Sequence, residues 1–192
     1  MQLKVLLVKD DPERSELLKQ SLPEFGYDVV AETQTASELL KRADQSRPDL
    51  LVIDSNAPGE PLFSRLHELS LHRPLPVVLF TGEGDRDVIS KAVRAGVNAY
   101  VVDGLDQHRL GAILDVAVER FKETERLRLE LKDTRANLAE RKAVDRAKGI
   151  LMKQRGFDES EAYHALRKMA MDKNLKIGQV AENVIAVSEL LN

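Results

Sequence analysis

Hydrophobic positions along this chain follow two different periods, and the change from one to the other divides it. Five short runs are continuously apolar and rich in β-branched residues: Val5-Leu6-Leu7-Val8, Val29-Val30-Ala31, Leu50-Leu51-Val52-Ile53, Val77-Val78-Leu79-Phe80 and Tyr100-Val101-Val102. Strands of a parallel sheet look like this, because helices cover both of its faces. Amphipathic helical segments fall between the runs, near residues 12–22, 36–46, 61–72 and 85–95, the last closed by Gly96 where a helix C-cap belongs. Strands alternating with helices predict an α/β domain over residues 1–120, a five-stranded doubly wound parallel sheet.

From Asp106 the pattern turns helical and stays so. All seven prolines lie between Pro12 and Pro76, and neither Pro nor Gly occurs between Gly111 and Gly149. Leu127, Leu131, Thr134 and Leu138 keep a 4, 3, 4 spacing, which predicts a coiled-coil seam over residues 121–142 and a homodimer through the long helix; Arg120 and Arg141 fall on the same track and weaken it. Beyond it a small three-helix all-α domain is expected over residues 143–192. Gly156 marks a turn, Asp158 and Glu161 form a capping-box variant opening a helix to about Met171, and a last helix runs from Ile177 to Leu191. Fewer than about 50 residues make a marginal core, so dimerisation or the long helix is expected to support it.

Charge separates the same two parts. Of 29 Lys+Arg and 32 Asp+Glu, residues 119–192 hold 16 basic against 13 acidic, so the second part is net +3 and the first net −6. Within residues 141–176 the ratio is 10 basic to 5 acidic, which directs any polyanion to that stretch. The absence of cysteine removes disulfides, thiolate metal sites and cysteine nucleophiles. No apolar run approaches the roughly 18 residues of a membrane span, and the first strand meets acids too soon for a signal peptide, so a cytoplasmic protein without membrane association is expected.

The residues after the strand carboxyl ends converge on one edge of such a sheet, where ligands bind. Here they are Lys9, Asp10 and Asp11, then Asp54, then Thr81, then Asp103. Clustered carboxylates ordinarily attract a hard divalent cation and allow an aspartate to accept a phosphoryl group, although Asp11 before Pro12 also suits a helix cap. With Asp54-Ser55-Asn56-Ala57-Pro58-Gly59 as phosphoacceptor loop, Thr81 as switch hydroxyl and Tyr100 as switch aromatic, residues 1–120 resemble a response-regulator receiver domain. The resemblance implies Asp54 as phosphoacceptor and Mg²⁺ held by Asp10 and Asp54. Two positions depart from the family: Lys9 replaces an acid and Asp103 replaces the usual lysine. The exchange suggests that the Lys9 ammonium enters the pocket and pairs with Asp54 or Asp103. Mg²⁺ then binds poorly, no cofactor is required and ordinary phosphorylation is lost.

The C-terminal stretch, through Ala147-Lys148-Gly149-Ile150-Leu151-Met152, Glu161-Ala162-Tyr163, Leu166-Arg167-Lys168-Met169-Ala170-Met171 and Val180-Ala181, resembles the ANTAR module of transcription antitermination regulators. Together with the receiver likeness, it is similar to the NasT-type antiterminators of nitrate assimilation. That resemblance implies binding to paired small-loop hairpins in a leader transcript, within a two-component-type system, and a nitrate- or nitrite-sensing inhibitory partner protein. Lys148, Lys153, Arg155, Arg167, Lys168 and Lys173 are candidates for phosphate contacts, with Lys148 and Lys168 matching positions usually basic in the family, and Tyr163 or His164 for base stacking. An apolar-face tyrosine is also a common core residue.

Other functions fit less well. Thr81-Gly82-Glu83-Gly84 lacks the third glycine of a dinucleotide loop, because Asp87 stands there. Walker A and Gly-x-Ser-x-Gly motifs are absent, and His67, His72, His108 and His164 show no metal-ligand spacing, so an enzyme is not expected. A phosphorylation-dependent DNA-binding response regulator would need a basic last helix, whereas Ile177–Leu191 carries just Glu182 and Glu189 as charges. A protein-interaction adaptor remains an alternative.

Overall fold

The computed structural model describes residues 2–10, 12–103 and 106–190. The chain divides into two compact units, Met1–Glu125 and Arg126–Asn192. The division falls inside a single 49-residue helix, so residues 126–142 of the connector expected from the sequence group with the C-terminal segment and residues 121–125 with the first unit.

The first unit is a five-stranded parallel sheet. Its strands are β1 (Leu3–Lys9), β2 (Tyr27–Thr33), β3 (Leu50–Asp54), β4 (Val77–Thr81) and β5 (Ala99–Val102), in the spatial order β2-β1-β3-β4-β5. Between them run α1 (Pro12–Ser21), α2 (Leu39–Ser46), α3 (Glu60–His72) and α4 (Arg86–Arg94), followed by α5 (Gln107–Arg155). Strand periodicity assigns each buried apolar strand residue to one of two cores. Leu6, Val8, Leu51, Ile53 and Leu79 face α2, α3 and α4, meeting Leu39, Ala43, Phe63, Leu66 and Ala92. Val5, Leu7, Leu50, Val52, Val78 and Phe80 face α1 and α5, meeting Leu18, Leu22, Leu110 and Leu114. A one-residue slip of any central strand would exchange these sets, so the register is strongly specified. In that register Lys9 lies opposite Asp54, and the polar strand ends gather on one edge.

Local chemistry sets the helix ends. The Asp85 carboxylate accepts from the Asp87 and Val88 N–H groups at 2.8 and 3.2 Å and starts α4. On the α5 side, the buried Tyr27 hydroxyl donates to Asp115 at 2.7 Å. Burial and that anionic neighbour hold the phenol well above its ordinary range.

The second unit comprises the later part of α5 with α6 (Glu159–Lys173) and α7 (Ile177–Leu190). The capping box expected at Asp158 is present: Glu161 N–H donates to the Asp158 carboxylate at 2.7 Å, and the Asp158 N–H donates to the Glu161 carboxylate at 3.0 Å. Val144, Ala147, Leu166, Ala170, Val180 and Ala181 form its buried centre. Alanines at three of those six positions let the helices approach closely, at the cost of a small apolar area. One such approach is at Gly178, where an added Cβ would stand 2.8 Å from Glu140 Cγ. Leu191 lies outside the described residues.

Candidate functional site

The carboxyl edge of the sheet forms the first candidate site. Asp54, at the end of β3, is fully buried, and an isolated carboxylate there would be costly. Two residues in the first turn of α1 compensate it. Arg14 Nε donates to Asp54 Oδ1, and Ser15 Oγ donates to Oδ2 at 3.0 Å. The same guanidinium donates through a terminal nitrogen to Asn56 Oδ1 at 2.8 Å, so it ties Asp54 to the loop that follows β3. Asp10 faces solvent and accepts from the Asn56 N–H and the Ser55 hydroxyl at 3.3 and 3.4 Å.

Lys9 does not enter this pocket. Its ammonium pairs with Glu32 on the neighbouring strand β2, where Lys19 of α1 holds the other carboxylate oxygen. The physical reason is proximity and supply: Glu32 offers Lys9 an anion on its own side of the sheet, while Arg14 already balances Asp54. Lys19, and then Lys9, hold the Glu32 carboxyl below the usual carboxylate range. Asp103 does not pair with Lys9 either. It is exposed, has φ +49, and its N–H donates to Thr81 O at 3.0 Å. The sequence reading of Lys9 and Asp103 as compensating partners is thus corrected: the pocket cation is Arg14. Asp11 lies outside the described residues.

Thr81 is buried at the end of β4; its hydroxyl donates to Asn56 O at 3.4 Å and accepts from Glu83 N–H at 3.0 Å. Tyr100, half-buried on β5, donates its hydroxyl to Glu83 O at 2.9 Å. Burial first, and then the charge of Glu83, raise that phenol above its ordinary value. Thr81 and Tyr100 therefore meet through the backbone of Glu83, in the loop between β4 and α4.

Mg²⁺ fits this arrangement poorly. Both Asp54 oxygens are engaged by α1 donors, one of them cationic, and a lysine stands where a further acidic ligand belongs. Among the described residues no group of three His, Cys, Asp or Glu is placed to hold a metal ion.

The second candidate site is on the C-terminal unit. Lys153 and Arg155 are exposed in the last turn of α5, where cations also complement the helix dipole. On α6, Tyr163, His164, Arg167 and Lys168 are all exposed, and Lys173 is exposed in its last turn. Tyr163 is 42% exposed and so is not the core residue that its pattern also allowed. Its ring lies 6.3 Å from that of His164, tilted by 55°. Arg167 follows Tyr163 by one helical turn and so lies on the same face of α6. Among the described residues Arg167, Lys168, Lys173, Lys153 and Arg155 enter no ion pair. Lys148 differs: it is half-buried and held by Asp145 and Glu159.

Sequence reasoning missed Arg14, Ser15 and Glu32. An arginine in the first turn after a strand end was the available signal, since the first turn of α1 borders the pocket edge.

The model of the response regulator receiver domain matches residues 5–115, and the model of the ANTAR domain matches residues 132–185. The transcriptional regulatory protein PdtaR of Mycobacterium tuberculosis is 31% identical over 182 residues, covering 95% of this chain and 89% of that one. A nitrate regulatory protein of Klebsiella oxytoca is 36% identical over 78 residues, covering 41% of this chain and 20% of its own. Among solved structures, the receiver domain of a modulated diguanylate cyclase from Desulfovibrio desulfuricans matches 65% of this chain and 99% of that one, with TM-score 0.57 and 22% identity, and shares the fold. No helix among the described residues is long and apolar enough to cross a membrane.

Proposed function

The chain belongs to the response regulators that join a receiver domain to an ANTAR domain, and from that premise we propose that it is a cytoplasmic transcription antiterminator whose C-terminal unit binds hairpins in leader RNA. The observation that carries this reading is the set of exposed cations on α6 and the end of α5 that have no acidic partners among the described residues, together with the exposed Tyr163–His164 pair on α6. Cations meet phosphates, and flat rings stack on bases unstacked in a loop. Duplex DNA is the poorer match, because Glu182 and Glu189 are the charges of α7 and a recognition helix must follow a phosphate-lined groove. Competition between a tandem-hairpin RNA and duplex DNA for the full-length protein at equal salt tests the reading. Preferential retention of the hairpins is expected; equal binding, or none, would reject it.

The receiver unit is the regulatory half, and it works without Mg²⁺ and without ordinary phosphorylation of Asp54. The support is Arg14, which fills the place of a transient cation with a permanent one. Control then falls to a partner protein. Leu127, Leu131 and Leu138, each about half exposed on α5, support a homodimer through that helix. For the regulated genes, nitrate or nitrite assimilation with a nitrate-sensing partner is supported by the Klebsiella likeness, which covers 41% of the chain. A reporter fused to the leader of the neighbouring operon, assayed with and without nitrate, checks that assignment.

A further inference from the structure

Ten lysines and arginines lie between residues 141 and 176, and Lys148 alone among them is not exposed. Its Nζ stands 2.8 Å from Asp145 Oδ1, one turn back on α5, and 2.8 Å from Glu159 Oε1, the first residue of α6. The contact to Glu159 crosses the turn at Gly156, whose φ of +71 belongs to the left-handed region. Asp158 and Glu161 close their capping box in the same turn. One ammonium between two carboxylates carries a local net charge of −1, which repels a phosphate instead of attracting it. Hydrogen bonds first from Lys148 hold Asp145 below the usual carboxylate range, and those carboxylates hold the lysine above its ordinary value.

We infer that Lys148 is a positioning residue for RNA binding: it pins the first turn of α6 to α5, and so sets the spacing between the cations at the end of α5 and the Tyr163–Arg167 face, without itself meeting phosphate. This rests on the hairpin-binding reading above and assigns a role within that same surface. Basic character at this position is then required for the geometry of the module, and the phosphate contacts belong to the exposed cations.

The two roles predict opposite signs for one substitution. If Lys148 met phosphate, Glu159→Gln would remove a competing anion and tighten RNA binding. As a positioning residue, Lys148 loses its anchor in that variant and binding weakens. The probe is the tightest tandem hairpin recovered from a pool with randomised loops, bound by full-length protein well below each variant's unfolding transition. Lys148→Ala is expected to weaken binding about three- to fivefold, the scale of a part-buried ion pair. Glu159→Gln should weaken it about twofold. The double variant should be no weaker than Lys148→Ala, because both changes cut the same tie. Lys148→Arg, which keeps a cation between the carboxylates, should stay within about twofold of wild type. The slope of log K against log salt should not change in Lys148→Ala, whereas loss of a phosphate contact lowers it by about 0.7 to 0.9. Tighter binding by Glu159→Gln, or a slope reduced by that amount in Lys148→Ala, overturns the inference alone. Failure of the wild-type protein to select any hairpin overturns the functional reading, and the inference with it.

Discussion

The two units contain the same kinds of cations and use them in opposite ways. In the receiver unit Arg14 lies on the buried Asp54, and Lys9 and Lys19 share Glu32, so the positive charge nearest the pocket is neutralised within the fold. In the C-terminal unit Lys153, Arg167, Lys168 and Lys173 reach solvent without acidic partners among the described residues. Net charge separates the two parts of the chain, −6 against +3, without saying which cations are paired. The pairing pattern says more: an anion arriving at the receiver edge must displace a carboxylate, whereas one arriving at α6 displaces water.

The contrast can be broken most severely at Arg14. Arg14→Ala leaves the Asp54 carboxylate buried beside Ser15 without this guanidinium, and should lower the stability of the receiver unit by about 3 kcal/mol in urea denaturation. Adding Asp54→Asn should recover much of that loss, because a neutral amide tolerates the site better. A change below about 0.5 kcal/mol on removing Arg14, the size of a surface pair, would show that the pairing is ornamental. In the C-terminal unit the corresponding deletion should do the reverse. Tyr163→Ala is expected to weaken hairpin binding by about 1–2 kcal/mol through lost stacking, with little change in the unfolding midpoint, since the ring is 42% exposed. A lower midpoint with unchanged RNA affinity would return Tyr163 to a packing role.

Incubation with a small phosphodonor and Mg²⁺ sharpens the comparison from the receiver side. Asp54 in the wild-type protein should remain unmodified by intact-mass measurement, and stoichiometric phosphorylation would show that Arg14 yields the carboxylate readily. The smallest effect is a pH dependence. Glu32 is held below its ordinary value of 4.5, so the stability it contributes is present above that value and is lost as pH falls through the lower folded-state value. Lys19 is raised above 10.5, so its share is present below 10.5 and is lost at more alkaline pH. Glu32→Gln should therefore flatten both the acid and the alkaline ends of the stability profile of the receiver unit, and leave the middle lower. An unchanged profile would remove the pair from the account.

The fold was legible because its determinants are local and periodic. Continuous β-branched runs specified the strands, and Asp158 with Glu161 marked the start of α6 within one residue. The pocket was legible only in part. The sequence placed Asp54, Thr81 and Asp103 on one edge, since strand ends are fixed by topology, and the receiver resemblance supplied Tyr100. It could not rank the two cations that border that edge. Lys9 is nearer in sequence to the acids, yet its side chain meets Glu32 on a strand 23 residues away. Arg14 reaches Asp54 because α1 packs over β1 and β3, a tertiary fact without a sequence period. The same limit applied to Lys148, where Glu159 is a neighbour only after the chain has turned at Gly156.

The central claim is that the exposed cations of the C-terminal unit are the ones that meet RNA. Its most direct test is the salt dependence of tandem-hairpin binding by the full-length protein and by a variant carrying Arg167→Ala, Lys168→Ala and Lys173→Ala together. Three lost phosphate contacts should flatten the slope of log K against log salt by about 2 to 3 and weaken binding at every salt concentration. An unchanged slope in the triple variant would contradict the claim.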